Sequence, residues 1–181
     1  MSYNYGNEIP YEIVKLTPKH YDSLEHFDCE HDVINNYFKK ECKKDYSVVT
    51  YLFINPTNNE ILGCASIQCS GIRHEVDLNY VKTHPAIEIK YFAVLNKYQK
   101  LLYSDDIDDE HYYFSDDLLG FLISKCLEFS KNVIGADFII LYSVPNKVHF
   151  YERNHFKKYD EFMSRDNNQE ISDCSPMILF L

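Results

Sequence analysis

The residues with the clearest chemical potential lie in one stretch near the C-terminus, LYSVPNKVHFYERNHF, at positions 141–156. The pattern predicts the end of a strand, a turn in which Ser143 or its neighbour caps a helix, and a short helix that begins near Pro145. It presents Tyr151, whose phenol is neutral at pH 7 and can donate a proton at short range. Because the chain has 16 tyrosines, the alternative is a buried aromatic whose hydroxyl only satisfies a local partner.

The composition predicts an ordinary globular protein. The 181 residues are 45% hydrophobic and 25% charged, which suits a single domain, residues 1–181, with a sizeable core. No apolar run approaches the length of a membrane span, and the N-terminus lacks the hydrophobic segment of a signal peptide, so we expect a cytoplasmic protein. The net charge of −10 argues against extensive electrostatic binding to nucleic acid, because affinity for the phosphate backbone comes from clustered lysine and arginine.

The cysteines and histidines do not predict a metal site. The six cysteines are scattered without paired spacing, and in an intracellular chain they are expected to be reduced thiols of the core. His26, Cys29 and His31 lie close in sequence, but no second ligand pair has the spacing of a zinc site. We therefore expect no metal.

Residue periodicity predicts a mixed α/β domain in which one sheet is covered by helices. The strongest helix is expected to be capped by Ser115, with Asp116 and Asp117 in its first turn, and to end at Gly135. Residues 71–85 are expected to be irregular, with a short helix or a substrate loop. The expected strands are 11–16, 47–54, 61–69, 86–95, 137–143, 157–163 and 175–181, and the other expected helices are 19–27, 33–42 and the one within 141–156.

Four segments, taken together and in this order, resemble the GNAT N-acetyltransferase family, in particular the toxins that acetylate aminoacyl-tRNA. FDCEHDVINNYFKK (27–40) resembles FDCxxxxLNxFL, and YFAVLNKYQ (91–99) resembles LAVxxxYQ. HFYERNHF (149–156) resembles the FYxxxGF signature, and SPMILFL (175–181) resembles a last strand that contains PM. The resemblance implies a central mixed, mostly antiparallel sheet flanked by helices, with two central strands, 86–95 and 137–143, that splay apart.

The same resemblance implies how the chemistry proceeds. Acetyl-CoA is the co-substrate, an amine attacks its thioester directly, and Tyr151 protonates the leaving thiolate as general acid. A backbone N–H of the central strand stabilises the oxyanion, and Asn146 contacts the cofactor. The pantetheine arm pairs with the backbone of Phe92, Ala93 and Val94.

A general base is harder to assign. Glu88 lies on the central strand, where many family members place an acidic residue. The alternative is an exposed strand carboxylate that pairs with a lysine. His84 is a weaker candidate, and a water chain suffices in some family members.

The cofactor loop departs from the family pattern Q/R-x-x-G-x-G/A. Gln99 is followed by Lys100, Leu101 and three further residues without a glycine, and an acidic insertion precedes the helix at Ser115. In one interpretation the diphosphate still meets N–H groups near 100–102 or Ser115, with the acidic tip turned to solvent. In the other the phosphate site is lost. A second departure is His155 in place of the signature glycine, where a left-handed backbone is expected.

Two functions from different classes follow. The first is an N-acetyltransferase that acts on a primary amine of a small molecule, a protein or an aminoacyl-tRNA, as a toxin-like protein without membrane association. The alternative is a non-catalytic binding or regulatory protein with a GNAT scaffold. An antitoxin is one expected partner, and a homodimer through the aromatics Tyr112, Tyr113 and Phe114 is another.

Overall fold

The computed structural model describes residues 9–77, 80–105, 111–159 and 173–181. Their contacts divide the chain into two compact units. The first unit comprises Met1–Ser66 with Tyr91–Leu119, and the second comprises Ile67–Lys90 with Gly120–Leu181. The acidic residues 106–110, and the predicted polar loop and strand end within 160–172, lie outside the described residues.

Most of the strands form one sheet in the order β1-β2-β3-β4-β7-β9-β8, and β5 pairs with β6 separately. The strands are β1 (Glu12–Lys15), β2 (Val49–Ile54), β3 (Ile61–Asp77), β4 (Tyr80–Val94), β5 (Leu102–Asp105), β6 (His111–Tyr113), β7 (Phe138–Ser143), β8 (Lys157–Lys158) and β9 (Ser175–Phe180). β4 and β7 are parallel, whereas the pairs β1–β2, β7–β9 and β8–β9 are antiparallel. The predicted mixed, mostly antiparallel sheet is confirmed.

The helices confirm the predicted order of elements. Within the described ranges they are α1 (Tyr21–Glu25), α2 (Asp32–Asn36), α3 (Phe114–Phe129) and α4 (Val148–Arg153), with 3-10 turns at Pro18–His20, Asn96–Tyr98 and Pro145–Lys147 and π-helical turns at Tyr37–Glu41 and Ser130–Ile134. The turn after α3 ends at the predicted glycine cap, Gly135, which has a left-handed backbone with φ of 60°.

Two predicted helix caps are wrong. Ser115 lies inside α3, which begins one residue earlier, and the backbone N–H before the helix is bound by the Asp116 carboxylate instead. The Ser143 hydroxyl donates to the Val144 carbonyl, and the N-cap position of the next helical turn is the neighbouring Val144, which makes no side-chain cap.

The expectation that residues 71–85 are irregular is also wrong, because β3 continues to Asp77 and β4 already begins at Tyr80. Gly71, which suggested a loop, is a point of close strand approach. A Cβ atom there would lie 3.1 Å from the carbonyl oxygen of His84 and 3.2 Å from a methyl group of Thr83. Glycine is therefore needed for contact between strands.

Each unit has its own buried cluster. In the first, side chains of α1, α2 and the following π-helical turn pack on strand residues; the members include Leu24, Phe27, Tyr37, Phe38, Leu52, Ile54, Cys64 and Ala93. In the second, the cluster comprises Ile72, Ala86, Ile140 and Ile178, with Phe138, Tyr142 and Tyr159 partly buried against it. Phe114 is fully buried, so its expected exposure at a dimer contact is wrong.

Candidate functional site

Tyr151 lies in α4 of the second unit, and the chain folds back onto it through a Schellman motif. The Phe156 N–H donates to the Tyr151 carbonyl at 3.0 Å, and the His155 N–H donates to the Glu152 carbonyl at 3.0 Å. His155 has the predicted left-handed backbone, with φ of 69°. The rings of Phe150 and Phe156 pack edge-on against the phenol, 5.0 and 5.7 Å away between centroids. The motif and the two rings fix the direction of the phenol.

The hydroxyl of Tyr151 has no hydrogen-bond partner among the residues that the structure describes, although the side chain is only 9% exposed. The structural alternative expects a hydroxyl that satisfies a local partner, and no described residue provides that partner. Burial raises the pKa of Tyr151 above its usual value, and the nearby Cys174 thiol adds to the effect. At neutral pH the phenol therefore keeps the proton that a general acid must donate.

Glu88 lies where β4 and β7 cease to pair. Their parallel register ends at Glu88 and Ile140, although β7 continues to Ser143 and β4 continues beyond Glu88. The side-chain amide of Gln68 donates to the Glu88 carboxylate at 3.0 Å, and both side chains are half-buried. Among the described residues the partner of Glu88 is thus a neutral amide and not the lysine of the alternative interpretation. Such a donor orients the carboxylate without neutralising its charge.

Two other predicted residues of the second unit lie at its surface. The Nδ1 atom of His84 is 3.3 Å from an oxygen of Asp137, and its ring is 5.8 Å from that of Phe138. Asn146 is exposed in the 3-10 turn that precedes α4. Asn146 is therefore accessible to a ligand, whereas the imidazole of His84 already has a carboxylate neighbour.

The strand residues predicted to meet the pantetheine arm end β4 in the first unit. Ala93 and Val94 are buried, and Phe92 is half-buried with its ring edge-on to Phe53 at 6.4 Å. The strand approaches β3 closely here, since a Cβ atom on Gly63 would lie 3.0 Å from the Ala93 carbonyl oxygen. This end of β4 is accordingly held in place by its neighbour.

The turn after β4 uses its own backbone donors. The N–H groups of Tyr98, Gln99 and Leu101 donate to the carbonyls of Leu95, Asn96 and Tyr98 at 2.9, 3.1 and 3.2 Å. The turn is a compact 3-10 structure that runs from Asn96 to Tyr98. Its N–H groups point to carbonyl oxygens of the same segment.

Some side chains of this turn bond within the protein, and others are exposed to solvent. The Gln99 amide donates to the carbonyls of Cys29 at 2.9 Å and Val94 at 3.1 Å, so it ties the turn to the protein. Lys100 is exposed, and Leu101 is half-buried. Of the predicted loop residues, Lys100 is the one whose side chain is most accessible to a phosphate.

The N-terminus of α3 is closed by the chain itself. The Asp116 carboxylate accepts the Tyr113 N–H at 2.9 Å, and the Phe114 N–H donates to the Leu101 carbonyl at 2.9 Å. Ser115 and Asp116 are only 6% and 3% exposed. Two backbone donors at this helix end therefore already have acceptors, and the predicted contact at Ser115 is largely covered.

Asp117 is held by two tyrosines that sequence reasoning missed. The hydroxyls of Tyr11 and Tyr112 donate to its two oxygens at 2.7 and 3.2 Å. Burial and the Asp117 carboxylate raise the pKa of both tyrosines above the usual value, so they remain donors. Tyr11 precedes Asp117 by 106 residues, and no local pattern signals the contact.

Within the described ranges, no group of three or more histidine, cysteine, aspartate or glutamate side chains could hold a metal ion. His26, Cys29 and His31 therefore do not form such a group. No helix in those ranges is long and apolar enough to span a membrane.

Comparison with known proteins identifies the fold. A Tyr→Phe variant of the toxin AtaT superposes with a TM-score of 0.69 at 14% identity, over 99% of this chain and 94% of that one. AtaT with acetyl-methionyl-tRNAfMet gives 0.67 at 16% identity, over 94% and 95% of the chains. AtaTR bound with AcCoA gives 0.64 at 15% identity, over 94% and 92%. The chain therefore has the fold of these GNAT toxins, as the sequence predicted.

No family model matches the sequence, and no curated protein matches it. The assignment to the GNAT fold consequently rests on three-dimensional similarity.

Proposed function

We propose that this chain is an N-acetyltransferase that transfers the acetyl group of acetyl-CoA to a primary amine. The observation that carries the proposal is Tyr151, a largely buried side chain whose hydroxyl is protonated at neutral pH and has no hydrogen-bond partner among the described residues. A protonated hydroxyl of this kind can donate its proton to a ligand atom that becomes basic during the reaction. The matched structures include Tyr→Phe variants of KacT and AtaT.

The proposed reaction is a direct attack. The amine nitrogen forms a bond to the thioester carbonyl carbon, and the carbonyl oxygen becomes an oxyanion that a backbone N–H of the 92–94 segment stabilises. The C–S bond then breaks, and the leaving thiolate takes the proton of Tyr151. The amine gives up its own proton to Glu88, which Gln68 orients, or to water. The products are an amide and the free thiol.

The proposed donor contacts follow the predicted residues. The pantetheine arm pairs with the backbone of Phe92, Ala93 and Val94, and the exposed Asn146 contacts the donor. The segment nearest the diphosphate comprises Gln99, Lys100, Leu101 and Ser115. Support for acetyl-CoA itself comes from the AcCoA-bound structure of AtaTR.

The acceptor that we propose is the amino group of an aminoacyl-tRNA. AtaT has been solved with acetyl-methionyl-tRNAfMet, and the sequence resembles the toxin-like branch of the family. Small-molecule and protein amines are the competing acceptors, and the net charge of −10 favours them over tRNA. An assay of several acceptor classes is therefore part of the test.

The proposed partner is an antitoxin protein, because other matched structures contain AtaT with the C-terminus of the antitoxin AtaR, or the AtaT–AtaR complex with DNA. We also propose that residues 1–181 act as one acyltransferase domain. β3, β4 and α3 each contribute residues to both units, which supports this view. We also propose a homodimer, in which the exposed aromatic side chain of Tyr112 contributes to the contact.

The test is transfer from acetyl-CoA labelled in the acetyl group. Purified protein is incubated with charged tRNA, with uncharged tRNA as a control that lacks the amino acid, and with panels of small amines and peptides. Release of free thiol and mass spectrometry of the acceptors report transfer. We expect acetyl groups on charged tRNA only. Thiol release no faster than without enzyme for every acceptor would favour the non-catalytic scaffold.

A further inference from the structure

We propose that this chain selects its acyl donor by the pantetheine arm and not by the diphosphate of CoA, so that a donor without phosphates serves almost as well. The inference rests on the proposed function, since it concerns the donor of the same site. It is argued from the turn after β4 and from the N-terminus of α3, both in the first unit.

Several backbone donors that a diphosphate could use are already occupied. A diphosphate is usually bound by successive N–H groups at a turn or helix N-terminus. Here five such groups already donate to acceptors of the chain at 2.9–3.2 Å; they belong to Tyr98, Gln99, Leu101, Tyr113 and Phe114. A phosphate could gain these donors only if it displaced internal hydrogen bonds.

The charge at the N-terminus of α3 also disfavours a diphosphate. The N-terminus of a helix favours an anion, and in the described residues α3 is the only helix of eight residues or more. Its first turn already contains the carboxylates of Asp116 and Asp117. The Debye length at physiological salt is about 8 Å. A phosphate bound closer than this to the two carboxylates is therefore repelled by their charge with little screening by salt.

The lysines of the turn do not offset this repulsion. The Lys97 ammonium lies 2.6 Å from an oxygen of Glu60, whose hydrogen bond helps to raise the pKa of Lys97. Its charge is therefore matched within the protein. Lys100 is exposed, and a single mobile cation at the surface contributes little to binding.

This turn is also held in place by aromatic packing. Phe114 is fully buried, and the rings of Tyr98, Tyr103 and Tyr11 pack against it at 5.6, 5.8 and 6.0 Å between centroids. The Asp117 carboxylate adds two tyrosine hydroxyl donors to the same region. Opening the turn to free its N–H groups would disrupt this packing, so we infer that the donors stay occupied when a ligand binds.

The direct test compares binding of acetyl-CoA and S-acetyl-pantetheine to the full chain by calorimetry, and then their kcat/KM values with the acceptor that the labelled assay identifies. The two dissociation constants are expected to agree within about tenfold. A site that grips the diphosphate with several hydrogen bonds to a charged group would prefer acetyl-CoA by about a hundredfold or more, and that result would overturn the inference.

Salt provides a second readout on the wild-type protein. A phosphate site of fixed cations loses affinity as salt rises, whereas repulsion by carboxylates is relieved by it. We expect acetyl-CoA binding to be unchanged or tighter at high salt and S-acetyl-pantetheine binding to be unaffected. Strong weakening of acetyl-CoA alone would contradict the proposal.

A variant that removes one carboxylate tests whether charge at the N-terminus of α3 repels the diphosphate. Asp117→Asn removes one carboxylate at the α3 N-terminus, and Asp32→Asn makes the same change in the first turn of α2 as a matched control. We expect Asp117→Asn to raise the preference for acetyl-CoA over S-acetyl-pantetheine by about two- to tenfold, and Asp32→Asn to leave it unchanged. No change in Asp117→Asn would remove the electrostatic part of the argument.

The outcomes separate this inference from the proposed function. Turnover with a strong preference for acetyl-CoA overturns the inference alone. Equal binding of both donors without any turnover supports the inference and contradicts the proposed enzyme. Binding of neither donor overturns both.

Discussion

Replacing Tyr151 by phenylalanine removes one oxygen atom and leaves the ring, its edge-on contacts with Phe150 and Phe156 and the Schellman motif in place. If the hydroxyl is the general acid, the thiolate must leave without a proton or take one from water. Positioned acid–base groups contribute about 10²–10⁴ in rate, which corresponds to about 3–5 kcal/mol of barrier. We expect kcat to fall by that factor while donor affinity stays the same.

The same change is expected to leave the fold intact or stabilise it. Phenylalanine breaks no hydrogen bond to a described residue, and it removes a polar atom from a largely buried side chain. We therefore expect Tyr151→Phe to raise the free energy of unfolding by up to about 1 kcal/mol. Opposite effects on rate and stability are the signature of a functional hydroxyl.

Tyr37→Phe is the matched control. Tyr37 is 2% exposed, and its hydroxyl donates to an Asp45 oxygen at 3.4 Å. We expect this variant to lose about 0.5–1.5 kcal/mol of stability and to keep its activity. Initial rates of thiol release and urea denaturation measure both properties for both variants. Retention of more than a tenth of wild-type kcat by Tyr151→Phe, or a clear loss of stability, would refute the reasoning.

Three further predictions concern other positions. Gln68→Leu removes the donor that orients Glu88 and should lower kcat about tenfold without changing donor affinity, and an unchanged pH–rate profile would argue against a role for Glu88 as base. Gly63→Ala should cost about 1–3 kcal/mol of unfolding free energy because its Cβ would meet a backbone carbonyl at 3.0 Å, whereas Gly120→Ala, with no atom within 4 Å, should gain about 0.5–1 kcal/mol. Burial lowers the pKa of His20, so the unfolded chain binds its proton more readily and stability should fall as pH drops below about 6.5. The fall in Tm should be smaller in His20→Gln, and an equal fall in both proteins would exclude this group.

Local patterns were sufficient to predict most of the architecture. The apolar periodicity of α3 and the glycine after it predict a helix that ends at Gly135, and both features are confirmed. The left-handed backbone at His155 was implied by the resemblance to the family signature, in which a glycine takes that position, and it is confirmed. These features depend on interactions within a few residues, which one sequence reveals directly.

The features that sequence reasoning missed depend on distant contacts. The Asp117 carboxylate meets Tyr11 across 106 residues, and Gln68 meets Glu88 across 20. Gly71 falls within the stretch that is expected to be irregular, because its close strand neighbour at His84 is not visible in the sequence. Of the occupied donors after β4, those of Tyr98, Gln99 and Leu101 bond locally, and the Phe114 N–H reaches back to Leu101.

The most direct test of the central claim is a single-turnover experiment with labelled acetyl-CoA, charged tRNA and excess enzyme, run with wild type and Tyr151→Phe. We predict rapid transfer of the label to an amine by the wild type and transfer about 10²–10⁴ times slower by the variant. Equal rates in the two proteins would contradict the assignment of Tyr151 as general acid. Absence of transfer from the wild type to charged tRNA and to every amine tested would contradict the proposed enzyme itself.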